Sequence, residues 1–344
     1  MNRRTFSLTL TLLSLCVTAR AENRASPDDS QCLKTMRTEA EAARSLIQSP
    51  LAKGFLDAAA RLTIPSARDL YRTADKRYVM PDEAAKLSDR QRADLTRTPV
   101  TAQIYYHTKY GTPLAYVRLL DLLGQAGIKD VRGKRVLDYG YGTVGHLRML
   151  ASMGADAVGV DVDPFLPALY CKGDDQGKIA VDGKVVGMVT LVNGRWPGDA
   201  DASKRVGGGY DLIISKNTLK NGYLHPEREV DSRMLIDLGV SEDKFVDRLY
   251  AALKPGGYVM IYNICPAPAP ADKPYIPWAD GRCPFPRKML ESAGFKIVEF
   301  DRDDSKAVRE MAHAFGWDSG DYKMELETNL FAHYTLLRRV ESHQ

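Results

Sequence analysis

From residue 134 onward, short apolar runs alternate with segments of helical composition, and this alternation constrains the fold more than any other feature. Each run is bounded by Gly, Asp or Pro, as expected of a strand that is buried on both faces. Strands that alternate with helices favour a parallel sheet covered by helices on both sides. We therefore predict a Rossmann-like α/β domain over 126–344. The runs that read as strands are 135–138, 156–161, 188–192, 210–215, 258–262, 295–300 and 330–337.

Two parts of the chain depart from this alternation. Asp182-Gly183 is a strong two-residue hairpin signal, so an antiparallel hairpin is predicted over 178–188, inserted before the third strand. Residues 22–125 have helical composition, and prolines separate their helical segments. This part is predicted to be an N-terminal helical region that precedes the sheet.

The first 21 residues have the composition of a secretory signal peptide, with a basic start, an apolar run and the small-residue cleavage site Ala19-Arg20-Ala21. The pair Arg3-Arg4, followed by Phe6 and Leu8, resembles the twin-arginine pattern, and an ordinary Sec signal is the alternative. We expect a periplasmic or secreted protein. No later segment is long and apolar enough to span a membrane.

The charge of the mature chain is close to neutral. Removing the signal takes three arginines from the 48 basic residues and leaves 45 basic against 44 acidic residues. Such a balance gives no reason to expect nucleic acid or an anionic membrane as a partner.

Four cysteines remain after the signal is removed, and an oxidising compartment permits disulfides without requiring them. Cys265 and Cys283 flank one proline-rich loop and are the first pair to consider. The alternative is that both, with Cys32 and Cys171, are thiols. Neither a Cys-x-x-Cys nor a His-x-x-x-His spacing occurs, so no metal site is predicted.

The segment 136–145, VLDYGYGTVG, connects the first strand of the domain to its helix. Gly140, Gly142 and Gly145 have the G-x-G-x-x-G spacing, in which glycines let the backbone approach a ligand and the helix N-terminus offers N–H groups. Asp161 ends the second strand, where a carboxylate can accept both hydroxyls of an adenosine ribose. Ligands of open α/β sheets bind at this edge, so an adenosine-bearing ligand is predicted.

The sign of the charge at Asp138 distinguishes two such ligands. A dinucleotide such as NAD would bring a doubly negative pyrophosphate next to this carboxylate, which would repel it. S-adenosylmethionine would instead bring a cationic α-amino group and a sulfonium, and at a few ångströms in a partly buried cleft the attraction amounts to a few kcal/mol. The loop therefore favours S-adenosylmethionine, with the dinucleotide as the alternative.

Further segments occur in a fixed order after this loop: VGVD at 158–161, YDLIIS at 210–215, LKPGGYV at 253–259 and LESAGFKIVE at 290–299. Together with 136–143 they resemble the class I S-adenosylmethionine-dependent methyltransferases over roughly 133–338. The resemblance implies a seven-stranded sheet with an antiparallel last strand. It also implies an enzyme that transfers a methyl group to a small-molecule or protein acceptor, which the sequence does not name.

The resemblance also implies which residues hold the cofactor. Asp138, Gly140 and Gly142 would hold its methionine end, Asp161 its ribose, and Val162 would pack on the adenine. The family often has an acid after the third strand, but this chain has Asn193-Gly-Arg-Trp196 there. Asn193 or a backbone carbonyl would then serve the adenine, Trp196 could stack on it, and Ser215 completes the predicted set.

The acceptor is expected to face the segment 216–226, which follows the fourth strand. Asn217, Tyr223 and His225 are predicted to orient it or take a proton; the alternative is a loop whose polar residues only cap the next helix. His146, at the first helical turn, is interpreted as a cap or a solvent contact. The polar-aromatic cluster at 105–110 either closes over the cofactor or packs the N-terminal helices.

Two alternatives to a methyltransferase remain open. One is an exported binding protein that keeps the fold without catalysis, since fold does not imply function. Export favours it in one respect, because charged S-adenosylmethionine does not diffuse across a membrane unaided. The other is an NAD-dependent oxidoreductase, which shares the glycine loop and Asp161 but not the LKPGG turn at 253–257.

Overall fold

The computed structural model describes residues 29–319 and 323–340. The predicted signal peptide lies outside these residues. The N-terminal part contains α1 (Asp29–Ala43), α2 (Pro50–Ala58), β1 (Asp69–Arg72), β2 (Tyr78–Val79), α3 (Pro81–Lys86), α4 (Asp89–Ala93), β3 (Thr96–Pro99), α5 (Ala102–Tyr106) and α6 (Val117–Gln125).

The N-terminal part is helical as predicted, but it also contains a small sheet in which β1 pairs antiparallel with β2 and β3. Its helices begin at recognisable signals: the Ser49 hydroxyl accepts a hydrogen bond from the Ala52 amide, and Pro50 occupies the first position of α2. α6 packs its apolar face against α2. Together these helices cover one face of the large sheet that follows.

The large sheet has eight strands in the order β10-β11-β9-β8-β4-β5-β7-β6. Its central strands are parallel, and β11 runs antiparallel to both β9 and β10. The strands are β4 (Arg135–Tyr139), β5 (Asp156–Asp161), β6 (Gly177–Val181), β7 (Lys184–Asn193), β8 (Tyr210–Lys216), β9 (Leu253–Cys265), β10 (Phe295–Asp303) and β11 (Phe331–Arg339).

This topology confirms the predicted fold class, a Rossmann-like sheet whose last strand is antiparallel. The eighth strand comes from the predicted hairpin, in which Val181 pairs with Lys184 across the Asp182-Gly183 turn. The helices of this part are α7 (Gly145–Ser152), α8 (Phe165–Leu169), α9 (Ala200–Val206), α10 (Asn221–Leu224), α11 (Glu242–Ala252), α12 (Arg287–Ser292), α13 (Ser305–Ala314) and α14 (Leu326–Asn329).

Both faces of the large sheet are buried. One face packs against the N-terminal helices and α7 through side chains such as Phe55, Leu119 and Leu147. The other packs against α11 and its neighbours through Phe245, Leu249 and Phe285. The chain leaves β4 toward β5 on one side and later returns to β8 on the other, so strand order reverses between β4 and β8. Ligands of such sheets bind at this reversal, beyond the carboxyl ends of the strands.

The pairing of Cys265 with Cys283 is wrong, because all four cysteines of the described residues are free thiols. The Cys283 thiol points to the Phe285 carbonyl oxygen, at 3.6 Å, and the Cys283 amide donates to Asp301. Cys265 is buried at the end of β9, against Gly281. The two thiols thus pack against different neighbours although they flank one loop.

Among the described residues, no helix is long and apolar enough to cross a bilayer. The same residues contain no group of three or more His, Cys, Asp and Glu side chains arranged to hold a metal ion.

Candidate functional site

The glycine loop lies at the carboxyl end of β4 and requires glycine at two positions. Gly140 and Gly142 have φ angles of +80° and +55°, in the left-handed region that side chains disfavour. A Cβ at Gly140 would overlap the Thr218 side chain, and one at Gly142 would lie 2.6 Å from Tyr110 Cβ. Thr218, after β8, and Tyr110, from the N-terminal part, therefore lie directly on the loop.

Asp161 ends β5 beside this loop, and backbone amides fix its carboxylate. One oxygen accepts a hydrogen bond from the Gly142 amide at 3.2 Å, and the other from the Asp163 amide at 2.9 Å. Burial raises the pKa of Asp161 to about 6, and the Asp163 carboxylate contributes in the same direction while the amide bonds oppose the shift. The carboxylate is thus held in one orientation next to the glycines, and its contact with a ribose stays a prediction.

Asp138, at the end of β4, is fully buried and belongs to a polar cluster that the sequence did not reveal. Its Oδ2 accepts a hydrogen bond from the Tyr116 hydroxyl at 2.8 Å and lies 2.6 Å from His146 Nε2. The Tyr116 and His146 rings stack at 3.6 Å. The Lys216 ammonium, from the end of β8, lies 5.2 Å from the centre of the Tyr116 ring. We call these four residues the Asp138 cluster.

Burial sets the charges of the Asp138 cluster. It lowers the pKa of His146, although the Asp138 contact acts in the opposite direction, so His146 is neutral and donates its Nε2–H to Asp138. Burial also lowers the pKa of Lys216 to about 8, against the opposing attraction of Asp138. The cluster thus brings one carboxylate and one amine together in a buried site. Asp138 Oδ1 and His146 Nδ1 are buried and have no hydrogen-bond partner among the described residues.

The interpretation of His146 as a cap or solvent contact is wrong, because its side chain is fully buried against Asp138. Lys216 and Tyr116 were missed. A signal for Lys216 existed, since a lysine directly after a buried strand that neighbours the glycine loop must lie close to Asp138. Tyr116 had no comparable signal, because it sits among the apolar residues before α6.

Two predicted residues lie at the expected edge of the sheet. Val162 follows Asp161 directly and is 62% exposed, an uncovered apolar side chain where the resemblance implies contact with adenine. Asn193 ends β7, and its amide nitrogen lies 3.3 Å from the Asp161 carbonyl oxygen. It therefore joins the ends of β7 and β5, and its part in adenine recognition stays a prediction.

Two other predicted residues face the interior. Trp196 is only 4% exposed and packs between Tyr139 and Phe245, at ring separations of 6.2 and 6.0 Å. It is a core side chain, so the prediction that it could stack on adenine is wrong. Ser215 is buried, and its hydroxyl accepts a hydrogen bond from the Leu219 amide at 3.3 Å, which stabilises the turn after β8.

Asn217, Tyr223 and His225 follow β8 as expected, and two of them already have partners. Asn217 has a φ of +63°, and its side-chain oxygen accepts a hydrogen bond from the Ile264 amide at 2.6 Å. The Nε2 atom of His225 lies 3.1 Å from the Pro284 carbonyl oxygen and 3.3 Å from Glu242. Burial raises the pKa of Tyr223 to about 12. Their roles in chemistry stay predictions.

The segment 105–110 has two parts: its first residues pack in the core, and its last residues cover the glycine loop. Tyr105 and Tyr106 are buried, whereas Thr108 Oγ1 donates to the Gly142 carbonyl oxygen at 2.8 Å. Lys109 Nζ lies 2.7 Å from Asp163, and the Tyr110 hydroxyl donates to the same carboxylate. The covering part, 108–110, is held by Gly142 and Asp163, on either side of Asp161.

Comparisons with known proteins give a likeness in fold only. A scan against protein-family models found no match, and a search of curated proteins found no relative. Among solved structures, the [4+2]-cyclase SpnF is 17% identical with a TM-score of 0.38, over 65% of this chain and 81% of its own.

Two methyltransferases are similar at the same level. Phosphoethanolamine N-methyltransferase 2 of Haemonchus contortus, in complex with phosphomonomethylethanolamine and S-adenosylhomocysteine, is 16% identical with a TM-score of 0.40, over 72% of this chain and 63% of its own. Magnesium protoporphyrin IX methyltransferase of Synechocystis PCC 6803, with S-adenosylmethionine bound, is 15% identical with a TM-score of 0.33. The match covers 65% of this chain and 77% of that one. Such similarities carry no conclusion about what this chain binds.

Proposed function

We propose that this protein binds S-adenosylmethionine and transfers its methyl group to an acceptor. The observation that carries the proposal is Asp138 Oδ1, a buried carboxylate oxygen that no donor of the described residues reaches, beside a glycine loop at the strand reversal. A buried carboxylate oxygen without a donor is costly unless a ligand supplies one. The α-ammonium group of S-adenosylmethionine is such a donor.

The residues at this edge fit the rest of the same ligand. The Asp161 carboxylate is fixed by two amides and can accept ribose hydroxyls, and Val162 offers an uncovered apolar surface to adenine. A pyrophosphate would fit less well, because it would meet two carboxylates beside the glycine loop, Asp138 at the end of β4 and Asp161 at the end of β5. This charge argument favours the sulfonium ligand over NAD.

When bound, S-adenosylmethionine supplies an electrophilic methyl group, and the protein's own contribution is positioning. Asp161 and Asp138 hold the two ends of the ligand. Lys109 and Tyr110, both bound to Asp163, lie over the loop. Thr218 lies against Gly140, so the segment after β8 faces the place where an acceptor would approach.

One observation favours a second candidate function, an exported binding protein without catalysis. The side-chain oxygen of Asn217 accepts from the Ile264 amide and His225 Nε2 lies against the Pro284 carbonyl oxygen, so neither of these two atoms is directed at an acceptor. A release assay separates the two functions: the protein is incubated with S-adenosylmethionine and a panel of hydroxyl, amine and carboxylate acceptors. Release of S-adenosylhomocysteine that depends on an acceptor supports the enzyme. Tight binding with no release from any acceptor class supports the binding protein.

The pKa of Asp161 predicts that ligand affinity changes near pH 6. Only the ionised carboxylate accepts hydrogen bonds from both ribose hydroxyls, so protonation competes with binding. With a pKa of about 6, the ionised fraction falls from about 0.9 at pH 7 to about 0.1 at pH 5. We expect the Kd for S-adenosylhomocysteine to rise about tenfold over this interval and to level off above pH 7. A flat profile in a calorimetric pH series would show that Asp161 does not contact the ligand.

We also propose that the protein is exported, on the strength of the basic, apolar and small-residue segments within 1–21. Cell fractionation of the full chain tests this, with an Arg3→Lys, Arg4→Lys double variant beside it. Processed protein outside the cytoplasm is expected. Loss of export in the variant indicates the twin-arginine route, and an unprocessed cytoplasmic chain contradicts export.

A further inference from the structure

Lys216 is a buried cation whose charge the fold does not fully use. It is 7% exposed and ends β8, on the strand next to the glycine loop. Ile214 pairs with Asp138 across the two strands, so Lys216 projects on the same face of the sheet as Asp138. Removing an ammonium from water is unfavourable unless an anion or several acceptors replace the water.

The Asp138 cluster offers Lys216 only partial compensation. Among the described residues, the basic side chain in direct contact with Asp138 is His146, whose Nε2 lies 2.6 Å from Oδ2, rather than Lys216. The contact that the ammonium makes is with the face of the Tyr116 ring. The two other side chains, Tyr116 and His146, are neutral donors that already serve Asp138 Oδ2. The cluster is therefore a separated pair of opposite charges, each with capacity for a further partner.

An α-amino acid group has the complementary arrangement, an ammonium and a carboxylate on one carbon. We propose that Lys216 binds the α-carboxylate of the methionine end of the cofactor, while Asp138 Oδ1 accepts from its α-ammonium. This inference rests on the proposed function and extends it, because it assigns to the lysine that ends β8 the selection of ligands that carry a carboxylate. Lys216 is here a specificity-determining residue and takes no part in the transfer itself.

A pair of ligands that differ only in the α-carboxylate isolates its contribution to the affinity. S-adenosylhomocysteine and its decarboxylated form, S-adenosyl-3-thiopropylamine, share the adenosine, the thioether and the amine. A charge-assisted hydrogen bond in a buried site changes affinity roughly 10- to 100-fold. We therefore expect calorimetry on the unaltered protein to show a preference of that size for S-adenosylhomocysteine.

The variant Lys216→Met is expected to reduce this preference to less than about threefold, chiefly by weakening S-adenosylhomocysteine. Lys216→Arg keeps the charge and should retain most of the preference. Lys220→Met is the matched control: Lys220 is also a buried lysine of the same segment, but its ammonium is bound by the carbonyl oxygens of Ile264 and Trp278. Its removal should leave the ratio of the two affinities unchanged.

Each outcome bears on the inference. Equal affinities in the unaltered protein, or an undiminished preference in a folded Lys216→Met variant, overturn it while leaving the proposed function intact. If Lys216→Met does not fold, the inference is still tested by the ratio of the two affinities in the unaltered protein and in Lys216→Arg. Failure of the unaltered protein to bind either ligand is a different result, because it overturns the proposed function itself.

Discussion

Asp161→Ala is expected to weaken the binding of S-adenosylhomocysteine at least 100-fold. The Asp161 carboxylate is held by the amides of Gly142 and Asp163, so it is already oriented to accept hydrogen bonds when a ribose arrives. Two hydrogen bonds to a charged acceptor contribute about 1.5–3 kcal/mol each, and alanine removes both. Calorimetric titration of the variant and the unaltered protein measures the difference.

Asp156→Ala is the control for this variant, because Asp156 begins the same strand that Asp161 ends. Its carboxylate forms a partly exposed ion pair with Arg135, 3.0 Å away, at the opposite edge of the sheet. Exposed pairs contribute little to stability, so this variant should fold and bind as the unaltered protein does. Equal losses in both variants would mean that Asp161 acts through the strand's stability. An unchanged affinity in Asp161→Ala would remove the ribose site from this edge.

Arg68→Met is expected to lower the free energy of unfolding by about 3–5 kcal/mol, the largest loss of stability among the variants proposed for this protein. Arg68 and Asp175 form an ion pair in which each side chain is only 1% exposed, with Arg68 Nη1 lying 2.6 Å from Asp175 Oδ1. Tyr105 also donates to this carboxylate, at 2.8 Å. Without Arg68 the buried carboxylate loses its counter-charge. Because Arg68 belongs to the N-terminal part and Asp175 to the α/β part, the pair joins the two.

Urea unfolding measures this loss, and Arg77→Met provides a matched control. Arg77 pairs with Asp75 at 2.7 Å, but these side chains are 73% and 60% exposed. Water replaces such a partner readily, so no measurable change is expected. If the urea midpoint of Arg68→Met equals that of Arg77→Met, the buried Arg68–Asp175 pair does not hold the N-terminal part and the α/β part together.

The sequence was sufficient for the large sheet because parallel strands are buried on both faces and appear as continuous apolar runs. The hairpin was equally readable, since Asp182-Gly183 specifies its turn. The small sheet of β1, β2 and β3 was not, because its strands have two to four residues and are mostly half-buried or exposed. Strands that short leave no periodic pattern to recognise.

The candidate site could be predicted only in part from the sequence, for a similar reason. Asp138, Gly140, Gly142 and Asp161 lie at fixed distances along the chain from a predicted strand, so local pattern locates them. The partners of Asp138 depend on how distant segments pack: Tyr116 comes from the N-terminal part and Lys216 from another strand. Burial also reversed one expectation, since the indole of Trp196 fills the core instead of a ligand site.

The most direct test of the central claim is a calorimetric titration of the chain from Glu22 onward with S-adenosylhomocysteine, with NADH as the comparator. The claim is that a glycine loop beside a buried carboxylate selects an adenosine ligand with a cationic amine over a pyrophosphate. We predict micromolar binding of S-adenosylhomocysteine and no measurable binding of NADH. Binding of NADH in preference to S-adenosylhomocysteine would contradict the assignment of the loop, and binding of neither would contradict the proposed cofactor.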